Sequence, residues 1–183
     1  MPKCKQCKVK FTLKYFNQKY CMDEIECIKS FNESVKELRS KQIQKAKIKE
    51  KKELIEKIMT LSEWLNILQK VFNTYIRLRD KNLPCITCNT LKNNVQYHAG
   101  HFYSVGSNPS LRFNEDNVHK QCSSCNCKKH GNISEYSINL PKRIGVERFE
   151  ILTSNRANVL RLTIPEIKDL IKTYKAKIKE LEK

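Results

Sequence analysis

The chain has 183 residues, room for one medium domain or two small ones joined by a helix. Its 36 Lys and Arg against 19 acids give a formal charge of +17, which two Cys4 zinc sites would lower only to about +13. A polyanionic partner is therefore expected, with nucleic acid ahead of an anionic membrane surface, because no basic amphipathic helix with aromatic anchors stands out. The nine cysteines are odd in number and fall largely in C-x2-C pairs, and no apolar leader or membrane-length apolar run is present. These features argue against a secreted disulfide scaffold and a membrane-spanning protein, and for thiolates on zinc in a reducing cytoplasm.

Residues 1–27 read Cys4-x2-Cys7, then Cys21-x5-Cys27. So short a unit cannot bury enough surface to fold alone, so a structural zinc on these four cysteines is expected to supply the stability. Phe11, Tyr15, Phe16 and Tyr20 are its expected core. From Ile28 to Leu83 there is no Gly or Pro, and Lys, Glu, Gln, Leu and Ile dominate, which predicts helix. Residues 28–59 lack a sustained heptad and read as a basic helical spacer, either tracking a phosphate backbone or serving as a plain linker. Thr60-Leu61-Ser62-Glu63 is a capping box that opens a second helix over about 61–81. Its face of Trp64, Ile67, Leu68, Val71, Phe72, Tyr75 and Ile76 is expected to be core.

Pro84 ends that helix, and Cys85-x2-Cys88 and Cys122-x2-Cys125 then form a second four-thiolate set. Between the knuckles lie His98, His101 and His119, with His130 just beyond. Val95 to Tyr103 suggests a strand, Gly106-Ser107-Asn108-Pro109 a turn, and residues 126–131 a short helix stopped by Gly131. The expected architecture is mostly α with a small zinc-pinned ββα core in residues 60–140, an N-terminal Cys4 finger on a long basic helix, and C-terminal helices in 141–183. Leu140-Pro141 is the expected boundary before a helix over 142–155. Thr163-Ile164-Pro165-Glu166 caps a last helix whose face is Ile167, Leu170, Ile171, Tyr174, Ile178 and Leu181.

The platform resembles the HNH endonuclease motif, a treble-clef-like ββα unit. His101 in Gly100-His101-Phe102 occupies the place of the motif's first histidine, Asn117 lies five residues before Cys122, and Asn126 follows Cys125, an H-N-N variant. Leu83-Pro84-Cys85-Ile86-Thr87-Cys88, Ala99-Gly100-His101 and the run Leu111 to Cys122 are similar to the NinG (Rap) recombination proteins of lambdoid phages. The resemblance covers most of the chain. It implies a phage- or prophage-encoded, metal-dependent endonuclease acting on branched DNA such as D-loops and Holliday junctions, with phage or host recombination proteins as partners. Two positions depart from pattern. Many HNH enzymes carry Asp immediately before the first His, where this chain has Gly100, and the NinG pattern has an acid three before it, where this chain has His98. An imidazole suits Mg²⁺ poorly, so either His98 favours Mn²⁺ or another transition metal, or Asp116 or Glu115 swings in as ligand.

On this reading His101 is the general base, Asn117 orients its ring, and His98 and Asn126 hold the catalytic Mg²⁺ or Mn²⁺. Arg112, Lys120, Lys128 and Lys129 clamp phosphates, and His119 either joins them or braces a helix. Cys127 and His130 fall outside the site, Cys127 as the odd free thiol. Symmetric junction cleavage would favour a homodimer. Two other functions fit the same composition: a zinc-bearing DNA-binding recombination accessory protein whose nuclease centre has decayed, and RNA binding by the same basic surface.

Overall fold

The structure is a computed structural model describing residues 1–154 and 159–183. The chain divides into two compact units, Met1–Met59 and Thr60–Lys183. The first unit is built around its cysteines. Cys4, Cys21 and Cys27 are buried with Phe11 and Tyr20, and Cys7, Met22 and Phe31 pack against them. Tyr15 and Phe16, expected inside, point to solvent, Phe16 being 96% exposed. The missing apolar cover comes instead from Phe31, whose ring meets Tyr20 edge-on at 6.0 Å. Phe31 lies on α1 (Ile25–Ile58), so the first turns of this helix belong to the finger's core.

Beyond Phe31, α1 has no core face. Cys27 is its single buried residue, and Leu38, Ile43, Ile48 and Leu54 are all exposed. Its polar surface carries ion pairs one turn apart, Glu37–Lys41 at 2.5 Å and Glu53–Lys49 at 3.8 Å, of the kind that adds a few tenths of a kcal/mol each. The helix is held by propensity and such pairs rather than by burial.

The second unit opens on α2 (Leu61–Arg79), and both halves of its capping box form: Glu63 accepts from the Thr60 N–H at 2.7 Å while Thr60 Oγ1 accepts from the Glu63 N–H. Trp64, Leu68, Phe72, Tyr75 and Ile76 are buried, as the period-3.6 pattern requires. They pack on α5 (Ile164–Leu181), which buries Ile167, Ile171 and Tyr174; Phe72 and Tyr174 meet edge-on at 5.0 Å. Of the expected α5 face, Leu181 is exposed. Between these helices in sequence comes an antiparallel hairpin, β1 (Tyr97–His101) with β2 (Val118–Cys122), in the register His98↔Gln121 and Gly100↔His119. A second apolar cluster joins Ile86, Phe102 and Leu111 to Tyr136, Leu140 and Leu152.

Two boundaries differ from expectation. The residues after Cys125 form a π-helical turn, Ser124–Lys128, instead of a short α-helix reaching Gly131, though Gly131 does take the left-handed conformation, φ 87°. Leu140-Pro141 is no boundary. Helix α3 (Ile133–Ile144) runs through Pro141 and stops at Gly145, φ 89°, before α4 (Val146–Ser154). An interior proline costs about 3 kcal/mol, yet Tyr136 and Leu140 on α3 are fully buried, and that burial holds the helix together. Asn155, the end of the expected helix, lies outside the described residues.

Candidate active site and metal centres

Each unit carries one four-cysteine cluster able to hold a metal ion. Cys4, Cys7, Cys21 and Cys27 form one, and Cys85, Cys88, Cys122 and Cys125 the other, with the four sulfurs of each within 4.8 Å of one another. A tetrahedral zinc with Zn–S bonds of 2.3 Å requires sulfur–sulfur edges of about 3.8 Å. The observed edges are 3.7 Å for Cys4–Cys27, 3.8 Å for Cys7–Cys21 and 3.7 Å for Cys88–Cys122. The donor sets therefore fit zinc. In the second cluster the chain turns tightly at Asn89, φ 55°, and the Cys122 N–H points at the Cys85 sulfur at 3.3 Å. Burial pushes the Cys85 thiol up, but the N–H groups of Cys88, Cys122 and Thr87 and the Thr87 hydroxyl outweigh it and bring it down to about 6. Burial and the neighbouring sulfurs push Cys122 up to about 12. Four thiolates so close cannot all carry charge alone, and a divalent cation would supply what is missing.

His101 ends β1 and is half-buried. Its Nε2 lies 3.0 Å from the Arg112 carbonyl oxygen, which fixes the ring's orientation. Burial holds its imidazole below the usual histidine range; the Arg112 carbonyl works against this and the Arg112 charge with it. Asn117 does not touch the ring. Its carboxamide, fully buried, donates to the Tyr103 and Leu111 carbonyls at 3.0 Å each and accepts from the Tyr103 N–H at 2.8 Å. It thus staples shut the loop between the strands, and that loop carries the Arg112 carbonyl.

Near the other end of β1, the Nδ1 of His98 meets the Asn126 carboxamide at 3.1 Å and the Cys127 sulfur at 3.6 Å. The structure thus brings His98 and Asn126 together, along with a thiol that sequence reasoning leaves aside. His101 lies three residues further along β1, roughly 10 Å of extended chain. Asp116 and Glu115, the alternative ligands, are engaged elsewhere: Glu115 is held by the Tyr75 hydroxyl at 2.7 Å and Lys177 at 2.6 Å, and Asp116 pairs with Arg148. Gly100 has a steric reason. A Cβ there would stand 2.1 Å from the Oε1 of buried Gln121, whose amide is tied to the Gly131 carbonyl at 2.6 Å, so no acid fits beside His101 without displacing the Gln121 side chain.

Of the expected phosphate contacts, Lys128 and Lys129 are exposed and Arg112 is half-buried, its Nε donating to Gln69 at 2.7 Å. His119 and Lys120 are buried instead. Lys120 donates through Nζ to the Lys81 carbonyl at 2.8 Å and lies over the Tyr97 ring. His119 joins a network at the end of α2: Arg79 clasps Asp80 through two bonds of 2.7 and 3.0 Å and also reaches the Val118 carbonyl, while Asp80 accepts from the Lys120 N–H at 2.9 Å. Asp80 is pushed up by burial, but His119, Arg79 and the Lys120 N–H together hold it well below the usual carboxylate range. Both residues therefore brace the hairpin against α2. Sequence reading also passes over Arg77, which lines two adjoining clefts, one with Lys81 and Lys92 and the other, of about 520 Å³, with Asn73, His98 and Asn126. The signal was there in the basic last turn of α2.

No helix among the described residues is long and apolar enough to cross a membrane. No solved structure matches the chain. The family described as Bacteriophage Lambda NinG protein matches across residues 1–183. The chain is 38% identical to protein ninG of Escherichia phage 933W over 193 aligned positions, covering 98% of this chain and 92% of that one. It is 44% identical to protein ninG of Escherichia phage lambda and 40% identical to that of Salmonella phage P22, each over 120 positions. Those two alignments take in 66% of this chain and 58% of each relative's length. With a family match over its whole length and a relative matched almost end to end, the chain belongs to the NinG family.

Proposed function

We propose that the protein is a metal-dependent endonuclease of the HNH type, acting on branched DNA in phage recombination. The observation that carries this reading is the imidazole of His101, kept neutral by burial and aimed by the Arg112 carbonyl on a loop that Asn117 closes. A neutral, oriented imidazole is what is needed to take a proton from an attacking water. His98 and Asn126 would hold a divalent ion, which when bound would polarise a phosphate oxygen and ease departure of the leaving oxygen. Arg77, Lys81 and Lys92 around the adjoining clefts, with Lys128 and Lys129, supply positive charge for the backbone phosphates. The Cys85 cluster holds the two ends of this platform and takes no part in chemistry, because four cysteines leave no open coordination position.

The test is incubation of the full chain with three- and four-way junctions, duplex and single strands, in Mg²⁺ or Mn²⁺. Junctions are expected to be cut by the wild type and not by His101→Ala. Equal cutting by both would end the assignment of the base. A second reading, a zinc-bearing DNA-binding accessory protein without nuclease activity, is favoured by the engagement of Glu115 and Asp116 elsewhere, which leaves no carboxylate at His98. Salt-sensitive junction binding with no cutting under any metal would select it.

A further inference from the structure

The odd ninth cysteine has a place. His98 Nδ1, Cys127 Sγ and the Asn126 carboxamide make a triangle with sides of 3.6 Å, 3.1 Å and 3.8 Å. For a tetrahedral zinc-class ion with metal–sulfur bonds of about 2.3 Å and metal–nitrogen or –oxygen bonds of about 2.0–2.1 Å, a mixed ligand face has edges of about 3.6 Å to sulfur and about 3.3 Å between the lighter atoms. The three side chains thus already stand near the spacing of one face of a metal tetrahedron. The carboxamide nitrogen and oxygen exchange places by rotation about the last bond of Asn126, so the oxygen can occupy the vertex now pointing at His98.

We infer that His98, Cys127 and Asn126 together form a third metal site, which takes a thiolate-tolerant ion of the zinc class in preference to Mg²⁺. Thiolate and imidazole select borderline-soft transition metals, whereas Mg²⁺ demands an octahedron of hard oxygens. Three protein ligands leave a fourth position open, the arrangement of a metal that meets water or substrate, in contrast to the closed four-sulfur clusters. His98 and Asn126 themselves line the 520 Å³ cleft together with Arg77, Asn73 and Gln96, which could meet an anionic group there. The π-helical turn Ser124–Lys128 is what presents Asn126 and Cys127 side by side to His98. The inference rests on the nuclease reading only in taking His98 and Asn126 as holders of a metal; Cys127, and the choice of ion that follows from it, are new.

The experiment uses the full chain carrying two zinc ions, kept reduced by a thiol-free reductant and titrated with Co²⁺. One further ion per chain is expected, with a thiolate-to-cobalt charge-transfer band, while the zinc content stays at two. Cys127→Ser should lose the band and bind the third ion about tenfold or more weakly, and His98→Ala should weaken it at least as much. Retention of two zincs in each variant shows that the fold survives. Absence of a third ion, a third ion without the thiolate band, or a Cys127→Ser protein that binds cobalt as the wild type does, would each overturn the site. Junction cutting in Mg²⁺ is scored separately: cutting without the cobalt band leaves the nuclease reading standing and removes this site, and the band without cutting does the reverse.

Discussion

The two four-cysteine clusters have nearly the same sulfur geometry but opposite places in their units. In Met1–Met59 the cysteines are the core: three of the five most buried apolar side chains there are Cys4, Cys21 and Cys27. In Thr60–Lys183 the cysteines sit beside a small group, Val95 and Tyr97, while the larger apolar cores form elsewhere, around Phe72 and Tyr174 and around Tyr136 and Phe102. The same device therefore does two jobs. In the first unit a metal would stand in for a hydrophobic core too small to exist; in the second it would pin the ends of a hairpin onto a core that exists without it.

Chelation should expose this contrast most strongly. Structural zinc sites contribute about 10–16 kcal/mol of apparent binding free energy. A strong chelator is therefore expected to unfold the finger completely while the α2–α5 pair keeps its protection, as read by hydrogen exchange. Simultaneous loss of both would show that the second unit also depends on its metal. Next in size is Asp80→Ala. It strips the partner from Arg79 and from the Lys120 N–H inside the second unit, and breaking such a buried pair costs about 3–5 kcal/mol. Chemical denaturation should show that loss confined to the second transition. Smaller still, Gly100→Ala must push Gln121 aside and should cost about 1–3 kcal/mol, with the finger unaffected.

Acid separates the units by a different route. Asp80 has its folded pKa depressed below the unfolded value of about 3.9, so its stabilisation is fully present above that pH and fades only as pH falls further. Zinc thiolates are protonated and release their metal on acidification. On lowering the pH, the finger is expected to melt first and the α2–hairpin clamp last, as followed by hydrogen exchange in each unit, with the fluorescence of Trp64 reporting the second unit alone. Melting in the reverse order would mean that the clamp is weaker than its geometry implies.

What could be read from sequence was whatever repeats or is spaced by covalent geometry. The cysteine pairs, the capping boxes at Thr60 and Thr163, and the buried faces of α2 and α5 all depend on neighbours within a few residues. The missed features depend on residues far apart in the chain. Asp80 and His119 are 39 positions apart, and nothing local marks either as buried; Cys127 gains its meaning only from His98, 29 positions earlier. Pro141 misled because the local cost of a proline is visible in sequence, while the burial of Tyr136 and Leu140 that exceeds it is not. Asn117 was found by its spacing, but its task, closing a loop rather than touching a ring, became visible only with the loop in place.

Cys125 and Asn126 are consecutive, one facing the four-sulfur cluster and the other facing His98. That adjacency would couple the two sites. An ion gathered by the four sulfurs would fix the start of the turn Ser124–Lys128 that presents Asn126 and Cys127. On the proposed reading, an ion on the four sulfurs would set the spacing of the second metal's ligands, so loss of the first would weaken binding of the second.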